Sequence, residues 1–268
     1  MRTGISTASL FMRKYNEEAL PFLEKIGVKD AEVFLTSFSE YEEDFARLLE
    51  KKKGSVSVNS VHILNAQIEP QVFSACPRIQ KDVYAYLEKI AKSAQILGAP
   101  YYTFHGTARY KKAAREGQDD FKRVGNALQK AFAFCKEKGV TLCLENVEWS
   151  TYNRVGVFSA LKEYIPDLKG VLDIKQARIA GEGYEAYLNE MGNDIAYVHI
   201  SDLDENGKIR LPGQGVFDFD TLIKRLKDVG FDGKLFIEVY KDDYQSEDEL
   251  KTSCDFINER LYKYGCLH

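Results

Sequence analysis

Residues 83–105 read VYAYLEKIAKSAQILGAPYYTFH, and two periodicities meet in them. Val83, Leu87, Ile90, Ala91, Ala94 and Leu97 recur at helical spacing and form one apolar stripe. Gly98 follows, the residue type that ends helices because it enters the left-handed conformation without a steric penalty. Tyr101–His105 is then a short aromatic and β-branched run, which predicts a strand.

Working outward, the same unit recurs. Strand-like runs stand at Thr3–Ser6, Ala31–Leu35, Val56–Leu64, Tyr101–His105, Thr141–Asn146, Gly170–Ile174, Ala196–Ile200 and Lys234–Val239. Further helical stretches cover 16–27, 41–54, 119–139, 219–230 and 246–265, ending in Gly27, Gly54, Gly139, Gly230 and Gly265. Strands alternating with helices predict a parallel sheet. Eight such units in 268 residues suit an α/β chain folded as a single (β/α)8 TIM barrel. A doubly wound sheet often carries a glycine-rich first turn, whereas the first turn here is STASLF, residues 6–11. Without a Pro- or Ser-rich linker, residues 1–268 read as one domain.

Composition narrows the function classes. Hydrophobic residues make up 44% and charged residues 29% of the chain, ordinary for a globular protein. No run approaches the roughly 18 apolar residues of a membrane span, so no membrane partner is expected. The opening MRTGISTASLFMRK lacks the pattern of a signal peptide. Thirty-seven basic against 41 acidic residues give net −4, which argues against a general nucleic-acid binder. Five cysteines without a CxxC pair point to thiols in a reducing cytoplasm.

The chemistry lies in how the strands end. SVHILN ends on His62, YTFHGT on His105, LCLENVEW on Glu145, GVLDIK on Asp173, YVHISD on His199 and LFIEVY on Glu238. A barrel gathers the C-terminal ends of its strands at one mouth, so six ionisable residues far apart in sequence should meet there. The chain has four histidines, and only His268 lies outside this set. Burying several carboxylates is costly unless hydrogen bonds or a cation compensate them. Three carboxylates with an imidazole form a hard, mostly oxygen site suited to one Mn²⁺ or Mg²⁺, with Co²⁺ or Zn²⁺ as alternatives. Such an ion, with coordination positions left open, would polarise a substrate carbonyl and stabilise an enediolate, while one Glu removes a proton and another returns it.

The motifs LCLENVEW, GVLDIKQA, YVHISD, LPGQGVFDF and LFIEVY together resemble the xylose isomerase-like TIM barrels, a group that includes ketose 3-epimerases, dehydratases and endonuclease IV. The resemblance implies that Glu145, Asp173, His199 and Glu238 hold the metal and that Glu145 and Glu238 are the acid/base pair. It implies substrate contacts at His62, His105, Trp149, Gln176 and Arg210, with His62 and His105 alternatively holding extra zinc. Gly213 and Gly215 would let the backbone approach substrate or simply turn the chain, and Glu32 is either a barrel-layer or a site residue. Many relatives carry His where this chain has Gln176, and SDLDENGKIRLPGQG (201–215) holds no His. The three-zinc site of the nuclease is therefore incomplete. Basic residues on the predicted loops (Arg109, Lys111, Lys112, Arg115, Arg154, Lys175, Arg178, Lys208, Arg210, Lys241) would suit an anionic substrate, or form solvated surface charge.

The expectation is a metal-dependent sugar or sugar phosphate isomerase or epimerase with a small-molecule carbohydrate substrate, open to homo-oligomerisation. A lyase on the same scaffold (an inosose-type dehydratase or a C-glycoside deglycosylase) is the alternative. An endonuclease IV-like nuclease and a non-catalytic sugar-binding barrel rank behind it.

Overall fold

The computed structural model describes residues 1–64, 67–106 and 121–267. The stretch quoted first folds as a helix over Pro77–Leu97 and a strand over Tyr101–Phe104. The helix buries the whole Val83–Leu97 stripe, and Gly98 sits at φ 71° and closes it. Gly27, Gly54, Gly139, Gly230 and Gly265 take positive φ as well.

In chain order the strands are β1 Arg2–Ser6, β2 Asp30–Leu35, β3 Ser57–Ile63, β4 Tyr101–Phe104, β5 Thr141–Glu145, β6 Lys169–Asp173, β7 Ile195–Ile200, β8 Asp202–Leu203, β9 Ile209–Arg210 and β10 Lys234–Ile237. The helices are α1 Asn16–Lys25, α2 Glu43–Lys52, α3 Pro77–Leu97, α4 Phe121–Glu137, α5 Val157–Lys162, α6 Ile174–Ile179, α7 Tyr184–Met191, α8 Phe219–Asp228 and α9 Asp248–Lys263. Parallel strands close into a barrel in the order β1-β10-β7-β6-β5-β4-β3-β2. This is the (β/α)8 barrel expected from the sequence. Helices α5, α6 and α7 and the antiparallel β8–β9 pair were not anticipated. The three helices have six to eight residues each, too few for a clear period. No helix among the described residues is long and apolar enough to cross a membrane.

Side chains alternate between the barrel axis and the helix layer with a period of two. Cys143, Val171, Tyr197 and Phe236 pack together as one buried layer inside the barrel. Two residues further along the chain stand Glu145, Asp173 and His199 on their strands and Glu238 just past β10. Asp173 pairs with His199 across adjacent strands, whereas Glu145 pairs with Val171 and His199 with Phe236, so the register steps by two residues at those pairs. Gly4 on β1 makes room for this layer: a Cβ there would lie 2.4 Å from the Asp30 carbonyl oxygen and 2.5 Å from the Phe236 ring.

Candidate active site

All six strand-end residues reach the mouth of the barrel and are buried. Glu145, Asp173, His199 and Glu238 each offer a donor atom, and these lie within 4.8 Å of one another. His199 Nδ1 is 2.8 Å from Glu145 Oε1, 3.4 Å from Glu238 Oε2 and 3.9 Å from Asp173 Oδ2. His62, His105 and Glu145 form a second donor group that shares Glu145. The Nε2 atoms of His62 and His105 face each other at 3.1 Å, and His105 Nε2 is 2.9 Å from Glu145 Oε2.

Three further residues support this ring. Glu32 is completely buried on β2 below it. Its carboxylate accepts hydrogen bonds from Ser6 (3.0 Å), Ser60 (2.8 Å) and Thr103 (2.7 Å) and lies 3.1 Å from His199 Nε2 and 3.4 Å from His62 Nδ1. Neither of these ring nitrogens makes a hydrogen bond among the described residues, so these contacts are electrostatic. Glu69 accepts from the backbone N–H groups of His105 (2.8 Å) and Gly106 (3.0 Å) and stands 3.4 Å from His105 Nδ1. Asn146 clips β5 to β6, donating to the Asp173 carbonyl and accepting from its N–H, both at 2.8 Å. Of these three, the sequence pointed only to Glu32, as an ionisable residue inside an apolar run.

Charge in this crowd is coupled. Burial works to raise Glu145, but His199 and His105 outweigh it and hold the carboxyl well below its usual range. Burial likewise opposes the charge on His105, yet Glu69 and Glu145 hold it up to about 10. His199 is raised well above an ordinary imidazole by Glu238, Glu32 and Glu145 against burial. Asp173 goes the other way: burial pushes it up to about 7, Lys175 opposes this, and Glu145 and Glu238 reinforce it.

The remaining candidates divide. Trp149 packs on His105 with ring centroids 5.1 Å apart. It extends an aromatic arc that runs from Phe11 through Phe34, His62 and His105. A cavity of about 400 Å³, lined among others by Thr7, Phe11, Asn16, Phe34 and Thr36, opens beside this arc. Gln176 touches the site residues through its backbone N–H, which donates to Asp173 Oδ1 at 2.8 Å and so caps α6. Arg210 lies on the β8–β9 pair and is bound to Asp204 at 2.9 Å. The Gly213 and Gly215 N–H groups both donate to Asp202 Oδ2 at 3.0 Å. A Cβ on Gly215 would stand 2.1 Å from the Leu203 carbonyl oxygen, so that glycine serves the turn.

The basic rim also divides. Arg109, Lys111, Lys112, Arg115 and the terminal His268 lie outside the described residues. Lys208 is exposed, Arg154 and Lys241 are half-buried, and Arg178 is exposed and donates to the Gly207 carbonyl. Lys175 alone among the described rim residues is buried, at 4% exposure.

The solved structures similar to this chain share its architecture. D-psicose 3-epimerase from Clostridium cellulolyticum H10 superposes with a TM-score of 0.75 at 16% identity, over 97% of this chain and 99% of that one. The IOLI protein with a bound zinc atom gives 0.77 at 18%, over 98% and 99%. At these identities the likeness speaks for the fold. Among curated relatives, the L-ribulose-5-phosphate 3-epimerase UlaE of Shigella flexneri is 23% identical over 195 residues, 67% of this chain and 64% of that protein. An uncharacterised Methanocaldococcus jannaschii protein matches over 50% of its own length, so this chain spans half to just under two thirds of these two relatives. The model of the xylose isomerase-like TIM barrel matches residues 20–260, and with the closed barrel and its strand-end residues in view, the chain belongs to that family.

Proposed function

We propose that the chain is a divalent-metal-dependent sugar or sugar phosphate isomerase or epimerase that moves a proton at a carbon next to a carbonyl. The observation that carries this reading is the set of four donor atoms from Glu145, Asp173, His199 and Glu238 at the barrel mouth. Asp173 Oδ2 and Glu238 Oε2 are buried without a hydrogen-bond partner among the described residues, as donors to a cation would be. Three carboxylates and one imidazole favour Mn²⁺, with Mg²⁺, Co²⁺ and Zn²⁺ as alternatives. Bound there, the ion supplies Lewis-acid polarisation of a substrate oxygen.

The chain's own groups do the rest. Glu145 ends β5 and Glu238 follows β10, and β6 and β7 separate these strands in the barrel. The two carboxylates therefore address a substrate from different sides, one removing the carbon-bound proton and the other returning it. Glu145, held low by His199 and His105, is ionised at neutral pH, the form that can accept a proton. His62, His105, Phe34 and Trp149 form the opposing wall, against which the apolar face of a sugar packs. UlaE is named for a ketose phosphate and the C. cellulolyticum enzyme for a ketohexose, and the same substrate class is proposed here.

Two measurements test this. Elemental analysis of protein purified without a metal-affinity column should find about one divalent ion per chain. With Mn²⁺ and D-tagatose, D-fructose or L-ribulose 5-phosphate in D₂O, NMR should show deuterium entering at the carbon beside the carbonyl. Glu145→Gln and Glu238→Gln should each slow this by about 10²–10⁴-fold with an unchanged circular dichroism spectrum. Near wild-type exchange in either variant removes that residue from the pair. An absence of both metal and exchange removes the reading.

A further inference from the structure

Among the described residues, Lys175 is the one buried lysine or arginine at the mouth, and the strand-end chemistry does not use it. It stands two residues after Asp173, in the first turn of α6, with 2% of its side chain exposed. Its Nζ has no hydrogen-bond partner among the described residues. The nearest carboxylate oxygens are Glu238 Oε1 at 3.6 Å and Asp173 Oδ2 at 3.9 Å, and the Tyr240 ring covers another side at 4.6 Å. An ammonium placed only to neutralise these carboxylates would close to the 2.7–2.9 Å typical of a charged hydrogen bond. Lys175 is instead held short of both, with three N–H donors and no acceptor, an arrangement that is costly unless an oxygen arrives from outside.

We propose that the Lys175 ammonium donates a hydrogen bond to the substrate oxygen that gains negative charge as the carbon-bound proton leaves, which makes it a catalytic residue. This rests on the proton-transfer reading given above. One glutamate takes the proton from the carbon beside the carbonyl. The C–H electron pair forms the new C=C bond, and the C=O π pair moves onto oxygen, facing Lys175. In the reverse sense the second glutamate returns a proton to carbon and the C=O bond re-forms. Lys175 stays protonated throughout. The ligand it selects has a carbonyl or carboxylate oxygen next to a second oxygen.

The test compares wild type with Lys175→Met, which keeps the length without the charge, and Lys175→Gln, which keeps a donor. In the Mn²⁺ and ketose exchange assay, Lys175→Met should lower kcat by about 10²–10³-fold with KM within about threefold. Lys175→Gln should fall between. Titration with Mn²⁺ alone should show binding as tight as wild type or tighter, because a positive charge beside two donors is gone. Oxalate, whose two adjacent charged oxygens resemble the enediolate, should bind at least about tenfold more weakly to Lys175→Met. A kcat within about threefold of wild type, unchanged oxalate binding, or a kcat loss that merely follows lost Mn²⁺ binding would overturn the proposal. If wild type binds no metal and exchanges none of the ketoses but oxalate binding still depends on Lys175, the proton-transfer reading falls, and with it the catalytic role of Lys175, which is left as a hydrogen-bond donor to a bound oxygen.

Discussion

Under the proposed function, Asp173 is the residue at which proton and cation would compete. Burial, with Glu145 and Glu238 nearby, pushes it up to about 7, whereas an unfolded aspartate titrates near 4. The folded state thus holds this proton more tightly than the unfolded chain does. The stability it contributes to metal-free protein is fully present below about pH 4 and lost as the pH rises towards about 7. His105, held up to about 10, adds a loss of the same sign from about pH 6.5 upward. A ligand carboxylate must shed its proton to bind metal. Mn²⁺ affinity should therefore climb as the pH rises through 7, and thermal melts of chelator-treated protein should decline between pH 5 and 7. Asp173→Asn should flatten that decline, and a pH-independent Mn²⁺ affinity would contradict the assignment. At this scale the six strand-end residues were legible because each closes an apolar run. Lys175 was not, because a basic residue after a strand reads as one of many rim charges until packing turns it inward. Glu69 follows no strand and was equally silent.

Among the elements, the β8–β9 pair with its following turn shows how one carboxylate shapes a loop. Asp202 is buried and accepts from the N–H groups of Leu203 (2.8 Å), Gly213 (3.0 Å), Gly215 (3.0 Å) and Phe217 (2.9 Å). Asp202→Ala leaves these donors unmatched and should cost roughly 2–4 kcal/mol, read as a lower urea midpoint. The sequence LPGQG announced a turn but not its anchor, since one aspartate gathering four donors has no local spacing signal. The long helices were readable from their stripes and terminal glycines. Helix α6 was hidden because its N-cap is Asp173 itself, whose Oδ1 accepts from Gln176 while its other oxygen faces the donor cluster. A residue with two employments signals neither clearly.

The molecule as a whole depends on the seam where β1 meets β10. Arg13, just beyond β1, donates to the carbonyls of Lys241 (3.0 Å), Tyr244 (2.6 Å) and Gln245 (3.1 Å), and its guanidinium lies 4.0 Å over the Tyr244 ring. Tyr244 returns a hydrogen bond to the Ser9 carbonyl at 2.6 Å, and Ser9 Oγ donates to the Ile237 carbonyl at 3.1 Å. Arg13→Ala should lower stability by roughly 1–3 kcal/mol and speed amide hydrogen exchange over residues 237–245 before that of the central strands. Barrel closure was legible from the strand count, whereas the latch was not, because its acceptors are backbone carbonyls that any sequence supplies.

The same seam gives the site a history in time. Its residues run from Glu32 to Glu238, and β10 must pair with β1, the barrel strand made earliest. A chain emerging from the ribosome carries Glu145, Asp173 and His199 long before Glu238 exists, so the burial they have in the closed barrel waits for β10 to dock. The cluster at the mouth is therefore complete only once β10 has closed the barrel against β1.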